Sequence, residues 1–451
     1  MNVIILGLGK TGISLAKYFY SQGAQVWGVD DSSPEPDQIQ NKEWKLCTHQ
    51  LFLGGDLPDL TKVERFFISP GVDPKHPLVQ AALEKNLKIE GELDLAYELM
   101  CQNEAAQLIA ITGTNGKSTT TSLIGEMLKN AGLKTGVGGN LGTPFLDLVL
   151  DVQNFEYFVV EVSSFQLESI QKFRPHVAVL LNVTDDHLDR YDNFVQYQMA
   201  KANVFAFQTE KDFAVYNDDD LHVLELVQDI AAKKVPCSTT KKVKGAYTDE
   251  KEFFWAPEGE IISRFDLSQR KLLGLHNLEN IGAAIAVCKT LQIADEAIQQ
   301  AIDQYAGLPH RLEHVARVNG LDYYDDSKAT NVGALAMSLA SFDQPLILIA
   351  GGKDKGGDFK SLAPLMRAKV ALLIVMGEAK ERMMRELEGV VPMEVVESME
   401  AAVELAAQNS SGSSAVLLSP ACSSFDMFDN YAQRGEVFKA CVRRILKNYE
   451  G

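Results

Sequence analysis

Twice in this chain a short apolar run leads into a glycine-rich turn and then a helical stretch. The first follows residues 3–6 as Gly7-Leu8-Gly9-Lys10-Thr11-Gly12, and the second follows residues 108–111 as Thr112-Gly113-Thr114-Asn115-Gly116-Lys117-Ser118-Thr119. Further apolar runs at 157–160, 177–181, 346–350, 372–376 and 415–418 repeat the order of strand, loop and helix. Such alternation predicts an α/β protein with parallel sheets covered by helices and ligands at the carboxyl ends of the strands. At 451 residues the chain is too long for one core, and about 150 residues per domain gives about three domains. The expected division is 1–97, 98–307 and 308–451. The first boundary falls near residues 101–106. The second is a linker near Gly307, where a helical stretch over 280–305 ends and strands begin at 321–324 and 346–350. Residues 410–414 read as a loop.

The composition is 46% hydrophobic and 23% charged, which excludes a disordered, collagen-like or disulfide-stapled chain. A net charge of −18 argues against general binding to nucleic acid or anionic membrane, so an anionic ligand must be held by local donors. The six cysteines form no CxxC pair, as expected of free thiols in a reducing compartment. The apolar run at 3–6 has no basic leader before it, and no run approaches the roughly 20 residues of a membrane span. A cytoplasmic protein is expected, neither exported nor embedded.

The first turn has the form of a dinucleotide fingerprint, with Asp30 and Asp31 near the end of the next strand. Its physics is that of a nucleotide site, because absent β-carbons let the backbone approach a diphosphate at a helix N-terminus. Which nucleotide it takes is left open, and a βα turn that binds nothing is the bland alternative. The second turn reads as a phosphate loop. Its amides can wrap a triphosphate, Lys117 can cancel charge between the β and γ groups, and Ser118 can ligate Mg²⁺. Ile111 stands where the usual phosphate-loop pattern has its first glycine, so that pattern is met only in part.

Hard-metal ligands gather after two later runs: Glu161 in Val160-Glu161-Val162-Ser163-Ser164-Phe165-Gln166, and His187 in Asn182-Val183-Thr184-Asp185-Asp186-His187-Leu188-Asp189. Glu161 and His187 are the candidates for Mg²⁺, whereas Asp185, Asp186 and Asp189 read individually as a solvated acidic loop with a capping Asp at a helix start rather than as ligands. Lys201 reads by default as a surface helical lysine. Asn277 and Asn280, three apart, share a helix face if helical and could read a purine edge, although Asn277 could equally cap a helix. In the last third, loops at 324–331, 351–357 and 418–426 each follow a strand and predict a second anion or amino-acid site.

Taken together, Thr112 to Thr119, the Glu161 and His187 runs, His276-Asn277-x-x-Asn280, Pro309-His310-Arg311 and Asp326-Ser327-Lys328-Ala329-Thr330-Asn331 resemble the Mur ligases over nearly the whole chain. The resemblance implies a Rossmann-like N-terminal domain for a UDP moiety, a central P-loop-type ATPase domain, and a Rossmann-like C-terminal domain for an incoming amino acid. It implies ATP and two Mg²⁺ ions as cofactors and a monomer acting on small molecules. With Leu418-Ser419-Pro420-Ala421-Cys422-Ser423-Ser424, it points to UDP-N-acetylmuramoyl-L-alanine and D-glutamate as the substrates.

By the same resemblance, Lys10, Thr11, Asp30, Asp31, Ser69, Pro70, Gly71, Asn140 and His187 surround the UDP substrate. Gly113 to Thr119, Asn277, Asn280, Arg311 and Asp326 surround ATP. Lys328, Thr330, Lys355, Ser424, Phe425 and Tyr431 lie about D-glutamate, Tyr431 at a place where relatives can carry phenylalanine. Ser118, Glu161, His187 and a carbamylated Lys201 hold metal, and Lys117, His187 and Lys201 are catalytic. The implied chemistry passes through an acyl phosphate and a tetrahedral intermediate, with the C-terminal domain closing about the linker. Three other readings compete. A folylpolyglutamate synthase shares the central motifs but lacks a UDP-type first domain. An NAD-dependent oxidoreductase uses only the first hundred residues. A non-catalytic nucleotide switch would bind ATP without substrate-dependent turnover.

Overall fold

The computed structural model describes residues 1–31, 42–184, 190–272, 274–354, 356–409 and 414–450. They build three sheets. The first holds β1 (Asn2–Leu6), β2 (Gln25–Asp30), β3 (Gln50–Leu53), β4 (Arg65–Ile68) and β5 (Ile89–Glu90), all parallel, in the order β3-β2-β1-β4-β5. The second holds β6 (Gln107–Thr112), β7 (Thr135–Gly139), β8 (Tyr157–Glu161), β9 (Val177–Leu180), β10 (Phe213–Asn217), β11 (Lys233–Ser238), β12 (Ala246–Thr248), β13 (Glu252–Trp255) and β14 (Ser263–Asp266). Its order is β7-β8-β6-β9-β10-β11-β12-β13-β14, parallel up to β12 and antiparallel beyond it. The third holds β15 (Glu313–Val318), β16 (Leu321–Asp325), β17 (Leu346–Gly351), β18 (Val370–Met376), β19 (Met393–Val395) and β20 (Ala415–Leu418), in the order β15-β16-β20-β17-β18-β19. Only β15 runs antiparallel there.

The apolar runs become strands because helices cover both faces of each parallel sheet, so consecutive residues must all be apolar. Val3, Ile4 and Ile5 are each fully buried, as are Leu346, Ile347, Leu348 and Ile349. Two compact units result. One comprises residues 1–269 with 279–303 and carries the first two sheets; the other comprises 270–278 with 304–451 and carries the third. All six cysteines are free thiols, as expected. Among the described residues, no helix is long and apolar enough to cross a membrane.

The helical stretch expected over 280–305 is two helices, Leu275–Thr290 and Asp295–Gln304. Gln292 takes a left-handed φ of 60°, and the Ile293 amide turns back to the Cys288 carbonyl at 2.9 Å, which ends the first helix without glycine or proline. The loop expected at 410–414 lies largely outside the described residues.

Within the first unit, one continuous core joins the faces of the first two sheets. Asp94 accepts from the amides of Gln171, Lys172 and Phe173 at 2.7, 3.0 and 2.9 Å, and Glu92 accepts from Leu146 N at 2.8 Å. Burial pushes the Glu92 carboxyl up to about 7 from its ordinary 4.5. The folded state therefore binds this proton more tightly than the unfolded chain. The contribution is full below pH 4.5 and is lost as pH rises toward 7, a span worth about 3 kcal/mol. Glu92→Gln is expected to raise the melting temperature at pH 8 and to leave it nearly unchanged at pH 4.5. Melts at both pH values check this, and an equal shift at both would remove ionisation as the cause.

Candidate active site

β6 is an interior strand of its sheet, between β8 and β9, and the loop after it leads into helix Lys117–Asn130. Gly116 sits at the helix start with φ +84°, and a β-carbon there would come within 2.2 Å of Asn280 Oδ1, so only glycine fits. Asn182, two residues past the end of β9, pins the loop. Its carbonyl accepts from Thr114 N at 2.9 Å, its Oδ1 accepts from Asn115 N at 2.8 Å, and its Nδ2 donates to Asn115 O at 3.2 Å. Lys117 Nζ donates to Gly113 O at 2.9 Å and Thr114 O at 2.7 Å. Ser118 and Thr119 are buried in the first helical turn, where backbone amides and the helix dipole favour an anion.

Lys201 is not a surface lysine. It is 2% exposed and donates from Nζ to Gly113 O at 2.8 Å, with the Tyr197 ring centroid 4.5 Å away. Helix Phe194–Ala202, capped by Asn193, turns Tyr197, Gln198, Ala200 and Lys201 inward together. The Tyr197 hydroxyl lies 3.0 Å from Thr114 Oγ1, a contact that no sequence signal marked. Two ammonium groups thus converge on the Gly113 carbonyl.

Glu161 ends β8, and the next amide, Val162 N, donates to Ile111 O at 2.9 Å, so its side chain leaves the sheet beside the glycine loop's strand. Its Oε1 accepts from Asn140 Nδ2 at 2.6 Å, while the buried Oε2 has no hydrogen-bond partner among the described residues. A buried carboxylate oxygen left unpaired suits a cation ligand. His187 lies outside the described residues, as do Asp185, Asp186 and Asp189. Lys201 as an ammonium is a donor; only as a carbamate would it offer oxygen to a metal.

Asn277 and Asn280 are both buried on helix Leu275–Thr290, so Asn277 does not cap it. Asn280 Oδ1 accepts from Thr120 Oγ1 at 3.1 Å beside the loop. In the second unit, Asp326 is held by Ser338 Oγ, by Ser419 Oγ at 2.9 Å and by Leu312 N at 3.2 Å, and burial pushes its carboxyl up to about 6. Arg311, half-buried, is the residue before Leu312.

At the first turn, Asp30 and Ser69 bond the backbone of the glycine run, while Asp31 pairs with His76. Leu8 N donates to Asp30 Oδ2 at 2.7 Å, Ser69 Oγ donates to Gly7 O at 2.5 Å, and Asp31 Oδ1 lies 3.0 Å from His76 Nε2. His76 Nδ1 accepts from Leu78 N, which leaves Nε2 protonated and donating to Asp31. Lys10 and Gly71 are exposed, and Thr11 and Pro70 are half-buried.

In the third sheet, the order β16-β20-β17 brings together the loops at 324–331, 351–357 and 418–426. Asp326 N donates to Leu418 O at 2.8 Å, Ala421 N to Ala329 O at 3.0 Å, and Lys353 N to Ser423 O at 2.9 Å. Lys328 Nζ sits 4.0 Å from the Tyr431 ring centroid, Thr330 is half-buried, Ser424 is buried, and Phe425 is 67% exposed. Lys355 lies outside the described residues. Arg434, a helical arginine in the sequence, is buried against these loops, and sequence reasoning missed it.

Parallel sheets whose strand ends carry a glycine loop, two converging lysines and a buried carboxylate with one oxygen unpartnered among the described residues define an α/β protein equipped to hold phosphate. Comparison with known proteins narrows the class. Residues 1–91 match the Mur ligase MurD-like N-terminal domain, 111–288 the Mur ligase middle domain, and 310–422 the Mur ligase glutamate ligase domain. The chain is 40% identical to a UDP-N-acetylmuramoylalanine--D-glutamate ligase of Geobacter sp. (strain M21), over 98% of this chain and 97% of the relative. It is 42% identical to a protein of the same name from Geotalea uraniireducens (strain Rf4), with the same coverage. Among solved structures it resembles the UDP-N-acetylmuramate-alanine ligase MurC of Thermotoga maritima, with a TM-score of 0.60 at 17% identity over 100% of this chain and 99% of the other. This chain belongs to the Mur ligase family.

Proposed function

We propose that the chain is an ATP-dependent acid–amino-acid ligase that joins D-glutamate to UDP-N-acetylmuramoyl-L-alanine in peptidoglycan precursor synthesis, as a cytoplasmic monomer. The observation that carries this reading is identity of 40–42% over 98% of the chain to relatives bearing that name. The glycine loop and its lysines support it. On this reading, 1–97 is a Rossmann-like domain for the UDP substrate, 98–307 a P-loop-type ATPase domain, and 308–451 a Rossmann-like domain for the amino acid.

A carboxylate cannot be attacked by an amine while oxide is its leaving group, so it must first be phosphorylated. Attack of that anion on the γ-phosphoryl group is opposed by like charge, and the chain's part is mainly electrostatic positioning. The loop amides and the N-terminus of helix Lys117–Asn130 hold the phosphates. Lys117 leaves its two loop carbonyls to meet the charge between β and γ. Ser118 and Glu161, with His187 and a carbamylated Lys201, would hold Mg²⁺, which supplies Lewis-acid neutralisation of the phosphate oxygens when bound. Asn140, already on Glu161, and the turn at 7–12 orient the UDP substrate. Asn277, Asn280, Arg311 and Asp326 are the further residues assigned to ATP. Lys328, Thr330, Lys355, Ser424, Phe425 and Tyr431 hold the amino acid for attack on the acyl phosphate, after which phosphate leaves the tetrahedral intermediate.

The test is release of ADP and phosphate with UDP-N-acetylmuramoyl-L-alanine and each candidate amino acid added in turn. Turnover is expected with D-glutamate. A signal with meso-diaminopimelate or L-lysine instead would move the chain to a sibling activity, and ATP binding without turnover would make it a switch.

A further inference from the structure

The loops assigned to the amino acid are not held by their sheet alone. Arg434, on the C-terminal helix Tyr431–Glu450, is 2% exposed. Its guanidinium donates to neutral oxygens of two different loops. Nε donates to Ser327 Oγ at 2.9 Å and Nη2 to Ser327 O at 2.9 Å, while Nη1 and Nη2 reach Cys422 O at 3.2 Å each and Nη1 reaches Ser423 O at 3.2 Å. Burial pushes the group down to about 10, so it is still a cation at neutral pH. Asp426 and Asp325 act on it electrostatically, but among the described residues no carboxylate forms an ion pair with it, and a buried cation so placed adds little to stability that an apolar side chain of similar volume would not. An apolar side chain could not collect carbonyls from two loops, which is what the rigid planar fork does.

The helix is placed for this task. A β-carbon at Gly435 would come within 2.2 Å of His310 Nδ1 and 2.5 Å of Asp325 Oδ2, so the helix backbone lies directly on the 310 and 325 segments. Ser327 Oγ also donates to Tyr431 O at 2.8 Å. Ser327 immediately precedes Lys328, and Ser423 immediately precedes Ser424. Ser423 is bridged in turn to Lys353 by two backbone bonds, at 2.9 and 3.1 Å. One guanidinium therefore ties the loops after β16 and β20 directly and the loop after β17 through that bridge.

We propose that Arg434 is the positioning residue of the amino-acid subsite, holding the 327–328 and 422–424 loops at the spacing the amino acid requires without touching it. This rests on the reading of the third sheet's loops as the amino-acid site. The experiment is steady-state kinetics on the full chain, varying each of the three substrates, for the wild type, Arg434→Lys and Ser327→Ala. Arg434→Lys keeps the charge but cannot span both loops. It is expected to raise KM for D-glutamate by about 10- to 100-fold, the equivalent of one or two buried hydrogen bonds, with KM for ATP and for the UDP substrate unchanged. Ser327→Ala removes one loop's side-chain partner and is expected to raise the same KM by a smaller factor, which keeps the test alive if the lysine variant does not fold. An unchanged D-glutamate KM in a folded variant overturns the proposal, as does a parallel rise in all three KM values with a lowered melting temperature. If the wild type uses a different amino acid, the functional reading has failed, and the KM of that amino acid tests Arg434 in the same way.

Discussion

Lys117→Ala is expected to cut ADP release at saturating substrates by about 10²–10³-fold, the size of loss seen when one preorganised donor to developing charge is removed. The geometry says why the loss should fall on turnover more than on folding. Lys117 Nζ donates to Gly113 O and Thr114 O, and Gly113 O also accepts from Lys201, so that carbonyl keeps a partner when Lys117 is lost. Asn182 continues to pin Thr114 and Asn115. The loop amides would still receive phosphate, and ATP binding, read by calorimetry, is expected to weaken far less than turnover. Lys117→Arg should not restore activity, because a planar guanidinium does not replace a compact ammonium inside a loop this tight. Activity retained by the alanine variant would take Lys117 out of the phosphate role.

The strands that position these groups were legible in the sequence because parallel strands covered on both faces must be apolar without alternation, and the runs at 3–6, 346–350 and 415–418 have that character. The two glycine turns were legible because a strand and a helix flank each of them. What the sequence did not carry was strand order. Alternation implies a parallel sheet, but nothing local says that β20 lies between β16 and β17, and that order is what sets Asp326 against Leu418 and Lys353 against Ser423. Lys201 and Arg434 were illegible for a related reason. A long cationic side chain on a helix has a solvated place as its default, and only the elements packed around it make it buried. The break at Gln292 was hidden because a side-chain-bearing residue, not glycine, takes the left-handed position there.

Glu161→Gln separates function from stability by sign. The buried carboxylate spends Oε1 on Asn140 Nδ2 at 2.6 Å and leaves Oε2 without a partner among the described residues, an arrangement that costs stability in the ligand-free protein. Glutamine keeps the shape and can still accept from Asn140, but it removes the charge a hard divalent cation needs. Turnover is expected to fall by about 10²–10³-fold, and the Mg²⁺ concentration for half-maximal rate to rise. The melting temperature without ligands is expected to stay the same or increase. A residue kept for the fold would lose stability and activity together on the same substitution. Opposite signs are the mark of a group whose unpaired oxygen is maintained, at a cost to the resting protein, for a ligand that arrives later. A fall in melting temperature alongside the fall in rate, measured on the same preparation, would assign Glu161 to the packing of β8 instead.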